Sequence, residues 1–220
     1  MKIFLDTADV SMISSGYETG LLDGVTTNPT LILKSKRQLK EVIENISTSF
    51  PKLESISAEV VADTPEEMLT QAKKYYSISP AVTIKVPCTV DGLKVCKFLS
   101  GQGIQTNVTL VFSVAQAILA SKAGATYVSP FVGRWIDNSV DGIELIRNIR
   151  KVFDHSLTQT KILAASLRDV RQVEQVALAG ADVVTIPPNV FWSMYKNIMT
   201  EKGLEIFQKD WDEVTQNQEI

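Results

Sequence analysis

The sequence predicts a single closed (β/α)8 barrel with an additional C-terminal helix. Three observations favour this fold class: eight short β-rich segments recur along 220 residues, helical segments lie between them, and most of the strands are apolar on both faces. Strands that are buried on both faces suit a parallel sheet covered by helices, and eight strand-helix units close such a sheet into a barrel. An open doubly wound sheet usually has fewer strands in this length and often carries a glycine-rich phosphate loop, which the sequence lacks.

The predicted strands are KIFLD (2–6), GVTT (24–27), SISAEVV (55–61), AVTIKV (81–86), IQTNVTL (104–110), TYVSPFV (126–132), KILAAS (161–166) and DVVTIP (182–187). Between them, TPEEMLTQAKKYY has Thr64, Pro65 and Glu67 in the cap, first-turn and capping-box positions of a helix. VDGIELIRNIRKVF repeats apolar residues at a spacing of three and four, which is typical of an amphipathic helix. The similar segments AGATYVSP and AGADVVTIPP weakly support a repeated unit.

The segment after the eighth predicted strand is longer than one closing helix needs. It is expected to break near Gly203, and residues 204–217 predict a further helix at the end of one domain that spans residues 1–220. The apolar stripe of this helix consists of Leu204, Ile206, Phe207, Trp211 and Val214. This stripe reaches onto a neighbouring subunit or folds back over its own barrel, and the sequence leaves both possibilities open.

Composition and charge exclude several classes of protein. A hydrophobic content of 45% and a charged content of 21% are close to the averages for globular domains. The net charge of -3 is spread without a long basic block, so we expect no nucleic-acid partner. The apolar runs are too short and too interrupted to span a membrane, and Asp6 stands where a signal peptide would continue apolar. We therefore expect a cytoplasmic protein with no membrane partner.

Few residues are suited to a metal site or to thiol chemistry. Cys88 and Cys96 are the only cysteines, they do not form a CxxC pair, and His155 is the only histidine. We therefore expect no metal, two free buried thiols and a solvated imidazole in the polar surface loop KVFDHSLTQT.

Polar residues collect at the carboxyl ends of the predicted strands, which is where barrel enzymes place their chemistry. These residues are Asp6, Thr27, Asn28, Glu59, Lys85, Asn107, Thr109, Ser129, Arg134, Ser166 and Arg168. The barrel topology would bring charged groups of both signs to one mouth.

Lys85 lies inside the apolar segment VTIKVP, where an unpaired charge would cost several kcal/mol. Burial near cations would lower its pKa from about 10.4 toward neutrality, and the free amine could attack a carbonyl to form a Schiff base. The alternative is a structural ion pair with Glu59 on the adjacent strand.

Two arginines follow consecutive predicted strands and are candidates for a phosphate site. Arg134 follows Ser129, and Arg168 follows Ser166. Guanidinium groups bind phosphate through two points, and hydroxyl groups complete the oxygen shell. Either arginine alone would be typical of a surface residue, but together they indicate a phosphorylated ligand.

Seven motifs occur in order over nearly the whole chain: FLDTAD, GVTTNPTL, SAEVV, TIKVP, TNVTLVFS, SPFVGR and AASLRD. They resemble the transaldolase family, specifically its short single-barrel members, which include the fructose-6-phosphate aldolases. The resemblance implies that Lys85 forms a Schiff base with a ketose phosphate and that Asp6 is the acid-base group for carbon-carbon cleavage. It also implies that Glu59 and Thr109 hold and activate the water of carbinolamine formation and hydrolysis.

The resemblance further implies the substrate-binding residues. These are Asn28, Asn107 and Ser129 for the hydroxyl groups of the three-carbon unit, and Arg134, Ser166 and Arg168 for the phosphate. Small members of this family are typically decamers, so the resemblance suggests a homo-oligomer. It implies neither a metal nor a dissociable cofactor.

Glu59 and Phe131 favour transaldolase over aldolase, because the aldolases tend to carry Gln and Tyr at these positions. We expect sedoheptulose 7-phosphate and glyceraldehyde 3-phosphate to give erythrose 4-phosphate and fructose 6-phosphate, as in the non-oxidative pentose phosphate pathway. The alternatives are an aldolase that releases free dihydroxyacetone and a non-catalytic sugar-phosphate-binding barrel. Ala58 and Trp135 depart from residues often found in the family, which makes acceptor preference the property in question.

Overall fold

A computed structural model of the protein describes residues 1–218. Eight parallel strands form a closed barrel in which each strand pairs with the next along the chain and the last pairs with the first. The predicted (β/α)8 barrel is confirmed. The strands are β1 (Lys2–Asp6), β2 (Gly24–Thr26), β3 (Ser55–Glu59), β4 (Val82–Pro87), β5 (Thr106–Val111), β6 (Tyr127–Pro130), β7 (Lys161–Ala164) and β8 (Val183–Ile186).

Helical segments connect successive strands, and a final long helix follows the last strand. The helices are α1 (Val10–Glu18), α2 (Pro29–Ser35), α3 (Leu39–Ser49), α4 (Pro65–Tyr76), α5 (Val90–Ser100), α6 (Val114–Lys122), α7 (Val132–Asp137), α8 (Gly142–Ser156), α9 (Val170–Leu178), α10 (Pro188–Ser193) and α11 (Ile198–Gln218). Side chains at several helix starts accept hydrogen bonds from exposed backbone N–H groups. The predicted cap is one of these, because Thr64 Oγ1 accepts from the N–H of Glu67 at 3.3 Å.

The period of two along each strand divides its side chains between two environments. Outward side chains such as Leu5, Val25 and Ile84 join the large core between the sheet and the helices. Inward side chains form a separate, smaller apolar cluster that includes Phe4 and Tyr127. Burial of both faces explains why the strands read as apolar on both sides.

The Phe4 ring fills the barrel interior two residues before Asp6. It contacts the Tyr127 ring edge-on, with 5.8 Å between the ring centres. A Cβ atom at Gly24 would lie 2.7 Å from carbons of the Phe4 ring and 2.8 Å from the carbonyl oxygen of Ser55. A glycine is therefore needed at this position of β2, and the ring forms an apolar floor under the polar end of the barrel.

The C-terminal helix differs from the prediction. Helix α11 begins at Ile198 and continues through Gly203, so both the expected break and the expected start at residue 204 are wrong. A single glycine inside a helix costs only about 1 kcal/mol relative to alanine, which is too little to end a helix this long. The stripe from Leu204 to Val214 is exposed, so within the described residues it does not fold back over its own barrel.

The surroundings of the thiols and the imidazole also differ in part from expectation. Cys96 is buried and Cys88 is half-buried, and both are free. His155 is exposed as expected, but it lies in the last turn of α8 and not in a loop, with its Nδ1 2.6 Å from the carbonyl oxygen of Lys151. Residues 151–156 of the predicted loop belong to α8, which ends at Ser156, and Leu157 follows in a left-handed conformation.

No helix within residues 1–218 is both long enough and apolar enough to cross a membrane. Over the same residues, no group of three or more His, Cys, Asp or Glu side chains is placed to hold a metal ion.

Candidate active site

A cavity of about 460 Å³ opens at the carboxyl ends of the strands. Ten of the twelve residues named from the sequence line it, and Thr27 and Arg168 do not: Asp6, Asn28, Glu59, Lys85, Asn107, Thr109, Ser129, Phe131, Arg134 and Ser166. The other lining residues are Thr26, Pro29, Thr30, Leu31, Leu110, Leu163, Ala165 and Thr185.

Strand register brings the polar residues together. Asp6 pairs with Thr26 across β1 and β2, and Lys85 pairs with Glu59 on β3 and with Asn107 on β5. Neighbouring residues in register point to the same face of a sheet, so these side chains form one layer inside the barrel. Because the strands are rigid, the layer is preorganised before a substrate arrives.

The amine of Lys85 is buried at the wall of this cavity. Its Nζ lies 2.9 Å from Glu59 Oε2 and donates a hydrogen bond of 3.2 Å to the backbone carbonyl of Thr27. The charged group in contact with the amine is thus an anion, whereas the sequence-based reasoning placed cations there. The ion pair exists, but both partners line an open cavity, so a substrate can reach the amine.

Asp6 is a second ionisable group of the site, and it is half-buried. Burial raises the pKa of its carboxyl group above the ordinary value, and the nearby Glu59 acts in the same direction. The positive charge of Lys85 and hydrogen bonds from Thr26 and Asn28 oppose the increase without cancelling it. Thr26 Oγ1 donates to Asp6 Oδ1 at 2.8 Å, which fixes one oxygen of the carboxyl group. A carboxyl group whose pKa lies above the ordinary value is suited to exchanging a proton with a substrate hydroxyl.

Of the two threonines at the end of β2, Thr26 lines the main cavity and Thr27 does not. Thr27 Oγ1 donates to the carbonyl oxygen of Ser57 at 2.8 Å, so its hydroxyl is used within the backbone of the barrel. Thr26 lines the cavity instead. The alternation from Asn28 back to Thr26 was the available signal, because residues two apart share a face of a strand.

Asn107, Thr109 and Ser129 form a polar wall beside Lys85. Ser129 Oγ donates to Asn107 Oδ1 at 2.7 Å, which fixes the orientation of the amide. The Asn107 Nδ2 and Thr109 Oγ1 atoms are buried and have no hydrogen-bond partner among the described residues. Buried polar atoms are normally hydrogen-bonded, so these two groups are suited to a substrate hydroxyl or a reacting water.

The backbone after Thr109 departs from a regular strand. The pairing of β5 with β6 shifts between Val108 and Val111, and Leu110 has a left-handed φ of 59°. Bulges of this kind redirect side chains near active sites. Here Thr109 and Leu110 both line the cavity, which strict alternation along β5 would not allow.

Asn28 has two functions in the local structure. Its Oδ1 accepts a hydrogen bond of 3.0 Å from the N–H of Leu31 and caps α2. The cap holds the side chain at the cavity wall, so the amide is available to a ligand in one fixed orientation.

The mouth of the cavity carries an arginine stacked on an aromatic ring. The guanidinium carbon of Arg134 lies 4.9 Å from the centre of the Phe131 ring, a distance typical of a cation-π contact. Ser166 has a left-handed φ of 63° and faces the same cavity. These residues follow β6 and β7, where the predicted phosphate site was placed.

Arg168 lies with the two other residues of the predicted phosphate site, but it does not line the main cavity. It lines an adjoining cavity of about 450 Å³, which it shares with Arg134 and Ser166, and it forms an ion pair with Asp137. The sequence spacing could not reveal this carboxylate, because Asp137 lies at the end of a helix after another strand. Arg168 is therefore at the periphery of the cavity that contains Lys85.

Neither of the two unusual neighbours of the site lines the main cavity. Ala58 is fully buried on the outer face of β3, one residue from Glu59. Trp135 donates from its indole nitrogen to the carbonyl of Phe112 at 3.2 Å, and Phe112 in turn packs on Phe131. Trp135 therefore supports the ring beneath Arg134 and does not provide a lining residue itself.

Comparison with known proteins finds relatives that match nearly the whole chain. A "Probable transaldolase" of Caulobacter sp. (strain K31) is 54% identical over 211 residues, covering 96% of this chain and 96% of that protein. A "Probable transaldolase" of Rhizobium meliloti (strain 1021) is 52% identical with the same coverage. A solved structure described as "Native KDPGal structure" covers 84% of this chain and 80% of its own, with a TM-score of 0.61 and 17% identity, which supports the fold alone.

The family model described as Transaldolase/Fructose-6-phosphate aldolase matches residues 3–219. This match includes every residue of the cavity, from Asp6 to Thr185. The chain therefore belongs to the transaldolase/fructose-6-phosphate aldolase family.

Proposed function

We propose that this transaldolase-family enzyme transfers a dihydroxyacetone unit through a Schiff base on Lys85. The donor is sedoheptulose 7-phosphate or fructose 6-phosphate, and the acceptor is an aldose phosphate. The observation that carries the proposal is the buried amine of Lys85 at a cavity wall, 2.9 Å from Glu59 and in the same cavity as Asp6. A nucleophile and two carboxylates in one cavity are the groups that this chemistry needs.

Schiff-base formation begins with a proton transfer. The ammonium of Lys85 gives a proton to Glu59, directly or through a water held near Thr109, and the free amine attacks the ketose carbonyl. Glu59 then returns the proton to the carbinolamine hydroxyl, which leaves as water and yields the iminium. The short distance between the two groups supports this relay.

Carbon-carbon cleavage requires a base on the other side of the cavity. Asp6 accepts the proton of a substrate hydroxyl, and the carbon that carries this hydroxyl becomes an aldehyde. The electron pair of the broken carbon-carbon bond passes into the iminium to give an enamine. The free donor atoms of Asn107 and Thr109 lie beside Lys85 and are suited to holding the three-carbon unit.

Retention of the three-carbon unit distinguishes a transaldolase from an aldolase. Phe131 has no hydroxyl that could protonate the enamine, and its ring lies under Arg134 at the mouth. Glu59 supplies a carboxylate where the aldolases tend to have an amide. Both residues therefore favour holding the enamine until an aldose phosphate accepts it.

Arg134 and Ser166 are proposed to bind the phosphate of donor and acceptor, with Arg168 adding charge from the adjoining cavity. All three line that adjoining cavity together with Asp6. A phosphate there would lie at the open end of the site, with its sugar chain directed towards Lys85.

A product assay tests the proposed reaction. The purified enzyme is incubated with sedoheptulose 7-phosphate, with and without glyceraldehyde 3-phosphate, and the sugars are identified by mass spectrometry. We expect erythrose 4-phosphate and fructose 6-phosphate in the complete mixture, and no more than one equivalent of erythrose 4-phosphate without acceptor. Free dihydroxyacetone in excess over enzyme would instead indicate an aldolase, and no product in either mixture would indicate a binding protein.

This activity would place the protein in the non-oxidative pentose phosphate pathway of the cytoplasm. We also propose that the chain forms a homo-oligomer through α11, since all five apolar side chains of its stripe are exposed, among them Leu204, Phe207 and Trp211. The replacement of Phe207 and Trp211 by Gln is expected to lower the mass measured by light scattering. An unchanged mass would contradict this interface, and a monomeric parent protein would contradict the oligomer itself.

A further inference from the structure

Thr185 is a buried hydroxyl at the active-site cavity with no role in the reaction described above. It lies on β8, next to β1, and lines both the main cavity and the adjoining one. Its Oγ1 is 2.5 Å from Thr26 Oγ1. Thr26 in turn contacts Asp6, so the three side chains form a row on the inner face of the barrel, where β1 lies between β8 and β2.

The direction of the hydrogen bonds in this row follows from counting protons. A hydroxyl group carries one proton, and an ionised carboxylate can only accept. Thr26 must use its proton on Asp6 Oδ1, so the short contact with Thr185 is satisfied only if Thr185 donates to Thr26. The row therefore runs from Thr185 through Thr26 to Asp6.

We propose that Thr185 is a positioning residue for carbon-carbon cleavage, because its hydroxyl directs the Thr26 hydroxyl at the Asp6 carboxylate. Donation to the Thr26 oxygen polarises the Thr26 O–H bond and strengthens its bond to Asp6, since hydrogen bonds in a chain reinforce one another. The carboxylate is then held in one orientation while it receives the substrate proton. This inference rests on the proposed function.

The row acts on the step in which Asp6 changes charge. The substrate hydroxyl gives its proton to Asp6, and the carbon that carries the hydroxyl becomes the aldehyde carbon. The electron pair of the broken carbon-carbon bond passes to the iminium on Lys85. In the reverse direction Asp6 returns the same proton to the new hydroxyl. Without the Thr185 hydroxyl, the hydrogen bond from Thr26 stabilises the ionised carboxylate of Asp6 less, and this carboxylate is the form that accepts the proton.

The test compares four variants with the parent enzyme. Thr185→Val replaces the hydroxyl by a methyl group of similar size, and Thr185→Ser keeps the hydroxyl without the methyl group. Thr185→Ala differs from the Ser variant only in the hydroxyl, so the pair remains informative if the Val variant does not fold. Thr83→Val is the matched control, because Thr83 Oγ1 forms a similar buried contact of 2.7 Å with Ser55 Oγ, away from the cavity.

We expect Thr185→Val and Thr185→Ala to lower kcat by about 3- to 10-fold, which is the size of a modest hydrogen-bond effect. The acidic limb of the profile of kcat against pH should move to higher pH, because the carboxylate of Asp6 is stabilised less than in the parent. The charged groups that face Asp6 in its two cavities are Lys85, Glu59, Arg134 and Arg168, and all of them remain in these variants. Thr185→Ser and Thr83→Val should keep the parent profile.

Borohydride trapping separates this effect from a general loss of structure. With fructose 6-phosphate as substrate, the adduct on Lys85 should form in Thr185→Val to the same extent as in the parent. The groups that form the Schiff base lie on β3, β4 and β5, across the barrel from β8. A parent-like kcat and pH profile in both Val and Ala variants would overturn the role of Thr185. An equal loss in the Ser variant would do so as well, since packing and not the hydroxyl would then be responsible. If the parent enzyme itself traps no adduct, the proposed function fails first.

Discussion

Gly133→Ala is expected to damage the proposed phosphate end of the site although Gly133 has no reactive group. Gly133 is the second residue of α7 and lies beside the loop after β7. An added Cβ would lie 1.9 Å from the carbonyl oxygen of Ser166 and 3.1 Å from Nε of Arg168. An ordinary contact needs at least 3.4 Å, so the two backbones would have to separate by about 1.5 Å.

One hydrogen bond and the backbone conformation of Ser166 resist this separation. The Val132 N–H donates to the carbonyl of Ala165 at 3.0 Å, and Ser166 is held in its left-handed conformation directly after that contact. Forcing extra atoms into a packed site costs about 1–3 kcal/mol, which for a domain of this size lowers Tm by about 2–12 °C. A shift of about 1 Å in residues that position a substrate can reduce the rate by about 100-fold.

The assay is kcat/KM for fructose 6-phosphate with an aldose phosphate acceptor, together with a thermal melt. We expect Gly133→Ala to lower kcat/KM by about 10- to 100-fold and to lower Tm. Gly101→Ala is the control, because Gly101 ends α5 with a φ of -64° and its added Cβ would meet only ordinary contacts at 3.4 Å. Parent-like values for Gly133→Ala would refute the view that the close approach at Ser166 shapes the proposed phosphate site.

Three other changes test separate parts of the account. Glu59→Gln combined with Phe131→Tyr should release dihydroxyacetone in the absence of acceptor, which a coupled reductase assay measures. If no dihydroxyacetone is released, Glu59 and Phe131 are not the residues that retain the three-carbon unit. Asp6→Asn should abolish turnover and should raise Tm more at pH 8 than at pH 5. The pKa of Asp6 is raised in the folded protein, so its ionisation lowers the stability of the parent as pH increases. A variant with the same Tm as the parent at pH 8 would count against this. Phe4→Ala should cost about 3–5 kcal/mol in chemical denaturation, against about 0.5 or less for the exposed Leu178→Ala, and similar values for both would show that the Phe4 ring does not support the barrel.

The fold could be predicted because period and burial agree along the whole chain. Each strand needs apolar residues on its outer face to meet the helices, and the inner face ends in polar residues where the cavity opens. A carboxylate or amine at the end of an apolar strand, such as Asp6 or Lys85, therefore predicts where the cavity lies. The strand ends shifted by one or two residues because hydrogen bonding, and not side-chain type, decides where pairing stops.

The parts that could not be predicted depend on contacts between distant residues. Arg168 was expected beside the phosphate, but the sequence did not reveal its partner Asp137. Thr185 looked like an ordinary strand residue until its contact with Thr26 was visible. The bulge at Leu110 breaks the alternation on which the sequence reasoning relied.

The central claim is that Lys85 forms a Schiff base with the three-carbon unit and holds it for an acceptor. The most direct measurement is borohydride reduction of the enzyme mixed with fructose 6-phosphate, followed by peptide mass mapping, with Lys85→Met as control. The account predicts a three-carbon adduct on Lys85 alone, absent in the control and reduced when erythrose 4-phosphate is added before the borohydride. An adduct on another lysine, or none on Lys85 while the enzyme turns over, would contradict it.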